Sequence, residues 1–148
     1  MIRAVTVVLT LLAPGVAPFV AGEQAPAAGG QCAVDAIFGT FATGGYLSAT
    51  GFAFDSSHGA PVRKVELTLD GAIPGEVTLR GLRPDVLAHF ARSDYLWAGW
   101  NGEVSLEDVP PGEHSVDIVA IDHEGRRIPC GRRTFTVVAA PEVPSRLA

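Results

Sequence analysis

The chain lacks the commonest signatures of chemistry. It has no Gly-x-Ser-x-Gly elbow, no His-Glu-x-x-His and no phosphate-cradling glycine loop, which removes the usual hydrolase, metalloprotease and nucleotide-binding readings. Its four histidines, His58, His89, His114 and His123, include no i, i+2 or i, i+4 pair from which a metal site starts. Neither cysteine has a His or a second Cys at zinc spacing. Positive charge is scarce, with 11 Lys and Arg against 16 Asp and Glu and a net charge of −5. Nucleic acid is thereby disfavoured as a partner, because binding phosphates calls for an excess of Lys and Arg. Nothing in the chain carries the period of a long amphipathic helix.

What is present begins with an export signal. Arg3 is followed by the apolar run 4–12 and then by Pro14 and Gly15, the basic, greasy and small-residue parts of a signal peptide. The run is about half of the roughly 20 residues that a membrane-spanning helix needs, so no transmembrane segment is expected once the signal is removed. Val20-Ala21-Gly22 suits cleavage before Glu23, with Ala25-Pro26-Ala27 as a second position, and no Cys follows either site. Residues 1–22 therefore read as the signal and 23–31 as a flexible leader of Ala, Gly and Pro. Residues 32–139 read as one domain and 140–148 as a fraying tail. Loss of Arg3 leaves the exported chain one unit more negative than −5.

Export gives the two cysteines a meaning. Cys32 and Cys130 stand near the two ends of the ordered region, and in an oxidising compartment an even pair so placed predicts one disulfide tying the first strand to the last. Closing a loop of about a hundred residues is worth about 4–5 kcal/mol by chain entropy, against about 2–4 kcal/mol for typical bridges.

Between the cysteines, short apolar runs alternate with turn signals. Strands are expected at 33–38, 46–54, 62–69, 76–79, 100–106, 114–122 and 134–138. Val65, Leu67 and Leu69 alternate with Lys64, Glu66 and Thr68, and Trp100, Gly102, Val104 and Leu106 share a face, the period-two pattern of a half-buried strand. Asp70-Gly71 predicts a tight hairpin turn, with 76–79 returning beside 62–69. At 84–91 the period changes: Pro84 and Asp85 suit a helical first turn, and Val86, Leu87 and Phe90 form one apolar side. The expected fold is all-β, a two-layer antiparallel sandwich of about seven strands with one short helix near 84–91.

Several of these pieces stand in a particular order: Gly51-Phe52-Ala53-Phe54-Asp55, Leu69-Asp70-Gly71, Arg83-Pro84-Asp85-Val86, Gly99-Trp100, Pro111-Gly112-Glu113-His114 and Ala120-Ile121-Asp122-His123-Glu124-Gly125. Over residues 47–125 the chain resembles the immunoglobulin-like bacterial domain of exported and multidomain bacterial proteins. The resemblance implies an immunoglobulin-like sandwich serving as an accessory or interaction module, and it brings no catalytic residues. The cysteine pair is not part of that pattern.

Candidate sites are few. Tyr95 and Trp97 precede a strand and are candidates for stacking on sugar faces or anchoring a protein, with core or lid packing as their alternative fate. Arg126, Arg127, Arg132 and Arg133 concentrate positive charge around Cys130. They are placed to meet an acidic glycan or anionic surface, or to guard an edge strand against aggregation. Arg83 and Asp85 read as a turn or helix start, with Arg83 pairing to Asp85 or to the sheet, and Arg83 as a carboxylate or sugar ligand in the functional reading. The acids of 55–57 and 122–125 are assigned to turn chemistry rather than to calcium. The chain is thus expected to be an exported, non-catalytic module with no cofactor or metal, secreted or periplasmic, binding a protein or glycan. A structural or assembly component of the cell surface is the second expectation and an unrecognised hydrolase the third.

Overall fold

The computed structural model describes residues 29–142. The segment expected to be an export signal, most of the expected leader and the end of the expected tail lie outside these residues. Eight strands run as β1 (Gln31–Thr40), β2 (Tyr46–Phe54), β3 (Lys64–Leu69), β4 (Ile73–Pro74), β5 (Glu76–Gly81), β6 (Gly99–Ser105), β7 (Gly112–Ile121) and β8 (Arg127–Val137). The helix α1 (Pro84–Phe90) and a 3-10 turn (Ser93–Tyr95) lie between β5 and β6. The first sheet has the order β1-β2-β6-β5 and the second β4-β3-β7-β8, and every pairing is antiparallel. The fold is a two-layer all-β sandwich.

The core follows from alternation. Leu47 and Ala49 of β2, Trp100 and Val104 of β6, Val65, Leu67 and Leu69 of β3, and Val116, Ile118 and Ala120 of β7 are all buried in one cluster between the sheets. Each strand gives alternate residues to this layer, so the sheet faces close on each other and exclude water.

Residues 76–79 do not return beside β3. Asp70 and Gly71 do turn the chain, both at positive φ (50° and 72°). The strand that comes back is β4, which pairs only Pro74 with Thr68 and Ile73 with Leu69. Pro74 has no N–H to continue a ladder, the Gly75 N–H donates to the Leu67 carbonyl at 2.8 Å, and the chain crosses to the first sheet. There β5 pairs with β6 as an edge strand. The last strand begins at Arg127 rather than at 134, because an edge position tolerates Pro129 and Gly131.

The predicted disulfide is present: Cys32 of β1 is bonded to Cys130 of β8, with Cα atoms 4.6 Å apart and 98 residues between them in sequence. The β7–β8 register shifts between Ile118 and Val119, whose partners are Gly131 and Pro129. Cys130 is therefore the extra residue of a bulge, and the bridge joins the edge strands of the two sheets. Among the described residues no helix is long and apolar enough to cross a membrane.

Candidate functional site

One end of the sandwich is organised by two fully buried carboxylates, Asp55 and Asp122. Asp55 accepts from the Ser57 N–H at 2.8 Å and lies 3.2 Å from His58 Nδ1. The His123 N–H reaches it from the β7–β8 turn at 3.4 Å. Asp122 accepts from the Glu124 and Arg126 N–H groups at 2.9 and 2.8 Å and from Arg126 Nε at 2.8 Å. Burial by itself raises both carboxyls, but these hydrogen bonds outweigh it and hold each below the ordinary Asp value. The acids are thus consumed in folding two loops back on themselves. Among the described residues no group of three or more His, Cys, Asp or Glu is placed to hold a metal ion. His58 and His123 do come together, with ring centroids 5.2 Å apart.

That end supports α1. Phe52 and Phe54 leave β2 on its outer side, and Val86, Phe90, Tyr95 and Ala98 cover them in a second, smaller apolar cluster. Tyr95 stacks on Phe54 with centroids 4.0 Å apart, and the Arg92 guanidinium lies 4.5 Å from its ring centre. Tyr95 is therefore only 3 % exposed and offers no surface to a partner, whereas Trp97 two residues later is 45 % exposed. The two aromatics part company because the 3-10 turn points one into the cluster and leaves the other on the loop into β6.

The four arginines do not form a free cationic patch. Arg126 binds Asp122 and Glu124, Arg127 approaches Glu66 at 3.4 Å, and Arg132 binds Asp117 at 2.8 Å. Arg133 crosses the flank of the sandwich, its Nη2 donating to the Val34 carbonyl of β1 at 3.0 Å. A charge on an edge strand, used in this way, fits the guarding of an open edge.

Arg83 is the better-placed cation. Its Nε and Nη2 grip Asp85 at 2.9 and 2.6 Å, and Nη1 reaches Asp35 at 2.6 Å. Asp85 and then Asp35 raise the guanidinium above its ordinary value, and the same bond holds the Asp85 carboxyl down to about 2. Asp35 gets there because β1 bulges between Val34 and Ala36, which adds one residue and re-aims its side chain.

These groups wall a groove of about 590 Å³ on the outer face of the first sheet, lined also by Thr50, Thr78, Arg80 and Asn101. Thr50 pairs with Asn101 and Asn101 with Thr78, so three polar side chains stand in a row across β2, β6 and β5. Arg80 enters the lining through a second irregularity: the β5–β6 register shifts between Thr78 and Gly81, and Arg80 has φ 71°. Gly81 and Gly99 approach so closely that a Cβ on Gly99 would lie 2.8 Å from the Gly81 carbonyl oxygen. Three of the residues lining the groove, Gly51, Gly81 and Gly99, have no side chain to fill it.

The same face carries Phe38 and Tyr46, 49 % and 43 % exposed, which the sequence reading did not single out. The available signal was alternation, since Ile37 and Leu47 face the core and their neighbours must face out. No protein-family model matches the chain, and no curated protein matches it in sequence.

Proposed function

We propose that this protein is an exported, non-catalytic binding module of the bacterial immunoglobulin-like kind, recognising a protein or glycan partner outside the cytoplasm. The observation that carries the reading is the outer face of the first sheet, where Phe38 and Tyr46 are about half exposed beside an open polar groove. Exposed aromatics of this kind are the usual anchors of a binding surface. The Cys32–Cys130 disulfide supports an oxidising compartment, as does the signal-like amino terminus. The buried acids support a role without chemistry, because their oxygens are taken up by backbone N–H groups.

The test is capture of a partner from periplasmic and cell-wall extracts with the full chain, beside Phe38→Ala, Tyr46→Ala and Trp97→Ala. The expected result is a specific partner retained by the wild type and lost with Phe38 or Tyr46. Equal capture by all variants would remove this face from the reading.

A second reading, a structural component assembled through strand pairing, is favoured by one observation. β5 pairs only with β6 and leaves its other edge open. Concentration-dependent self-association, abolished by a proline at Val77, would support it.

A further inference from the structure

We infer that the outer face of the first sheet is a site for an uncharged oligosaccharide chain, held by Thr50, Thr78 and Asn101 in the groove and stacked on Phe38 and Tyr46 beyond it. This inference rests on the binding-module reading and names the chemistry of its ligand.

The argument begins with charge. Arg80 and Arg83 are the cations of the groove, and Asp35 lines it with them while Asp85 grips Arg83 from beside it. The two positive groups are matched by two negative ones, so no net field attracts a polyanion. The next row of the face adds Glu103 and Glu76, which pair across β6 and β5 and repel one. An acidic glycan is disfavoured for that reason.

Hydrogen-bonding capacity points the same way. Among the described residues, the side-chain hydrogen bonds at this face join Ser48 to Glu103 and Arg83 to Asp85 and Asp35, and none engages Thr50, Thr78 or Asn101. Two hydroxyls and a carboxamide each donate and accept, and so does every sugar hydroxyl. Successive members of the row stand one inter-strand distance apart, about 4.8 Å, close to the advance of one pyranose unit in a 1,4-linked chain. The Arg83 guanidinium and Asp35 carboxylate add a planar donor and acceptor side by side, fixed by their 2.6 Å bond. A protein partner would find little here, because interface anchors need an apolar pocket that excludes water.

The aromatics fix the direction of the chain. Along β1 the outward positions after the Asp35 bulge are Ala36, Phe38 and Thr40, opposite Thr50, Ser48 and Tyr46. Phe38 thus stands one row from the groove and Tyr46 two rows, at about 7 Å per row. Ser48 between them is buried and its hydroxyl faces Glu103. The polar row runs across the strands and the two rings follow one another along them, so a ligand that fills the groove turns at Thr50 to meet both rings, which suits a polymer rather than a single sugar.

The test uses the full chain labelled with ¹⁵N and titrated with hexamers of β-1,4-glucan, β-1,4-N-acetylglucosamine and α-1,4-glucan, with polygalacturonate as the polyanion. At least one neutral hexamer should shift the amide signals of Thr50, Thr78 and Asn101. Asn101→Ala and Tyr46→Ala should weaken that binding at least tenfold, with urea midpoints equal to the wild type's. Trp97→Ala and Arg132→Ala should leave it unchanged. Failure of every neutral hexamer, binding of polygalacturonate alone, or an unaltered affinity in Asn101→Ala each overturns the inference. Capture of a protein that depends on Phe38 and Tyr46, with no hexamer bound, would sink the glycan while sparing the binding module. Loss of both signals would sink both.

Discussion

The two outer faces of the sandwich are built on the same alternation and end up unlike. On the second sheet the outward side chains satisfy one another: Lys64 and Arg127 both reach Glu66, and Arg132 holds Asp117. On the first sheet the outward row of Thr50, Asn101 and Thr78 makes no side-chain bonds among the described residues, and Phe38 and Tyr46 stay half exposed. Period two decides which residues leave the core. It does not decide whether they are paired once outside, and that difference separates an inert face from a receptive one.

The interior bonds common to both faces carry the largest expected effects. Replacing both cysteines by serine should lower stability by about 2–4 kcal/mol, read as a reduced urea midpoint. A loss no greater than that of a surface pair would show that the β1–β8 flank needs no staple. Next comes Asp55→Ala, which leaves buried N–H groups without an acceptor and should cost about 1–3 kcal/mol. Because hydrogen bonding outweighs burial and lowers this carboxyl, its contribution is present above the ordinary Asp value and fades as the pH falls through the lowered one. Asp55→Asn should flatten that acid limb.

His114 provides a smaller and opposite pH response. Its Nδ1 lies 2.6 Å from Asp70 and its Nε2 2.7 Å from the Pro110 carbonyl, so both nitrogens face acceptors and the protonated ring, which donates from both, is favoured. Asp70 first, then the Pro110 carbonyl, raises its pKa. A raised value means stability fully present below the ordinary His value and lost as the pH rises through the raised one. His114→Gln should remove that alkaline slope and cost about 1 kcal/mol, measured by urea unfolding across the pH range.

The smallest effects bear on the contrast itself. Arg132→Ala and Asp117→Ala should each leave the urea midpoint almost unchanged, as exposed ion pairs do, and leave any ligand bound. Phe38→Ala and Tyr46→Ala should change stability by about 0.5 kcal/mol or less and yet weaken binding about tenfold or more. Equal effects from both faces would dissolve the comparison.

How far the sequence was legible varies along the chain. β2 matches its expected bounds residue for residue, and α1 begins where Pro84 and Asp85 place it. Both carry strong local signals, an alternating run and a helix-starting proline. β5 was read as a strand but assigned to the wrong neighbour, because pairing depends on what Pro74 and Gly75 allow in space. Of the groove only Arg83 was legible, as a candidate carboxylate or sugar ligand. Its walls depend on bulges at Asp35 and Arg80, and a single inserted residue leaves no mark on a hydrophobic pattern. Arg83 was expected to pair with Asp85 or with the sheet and does both, but which sheet residue would meet it, Asp35 at 48 residues' distance, no local pattern named.

By itself, the sequence determined seven of the eight strands in outline, the short helix, the all-β class and the cysteine bridge, because each is a matter of local period, turn chemistry or compartment. Tertiary structure alone decided that Tyr95 is buried and Trp97 is not, that four arginines are matched by nearby acids and a backbone carbonyl, and that one face carries the open groove. Burial and pairing of a surface side chain depend on what lies across from it. That neighbour is usually far away in the chain, where no local pattern can report it.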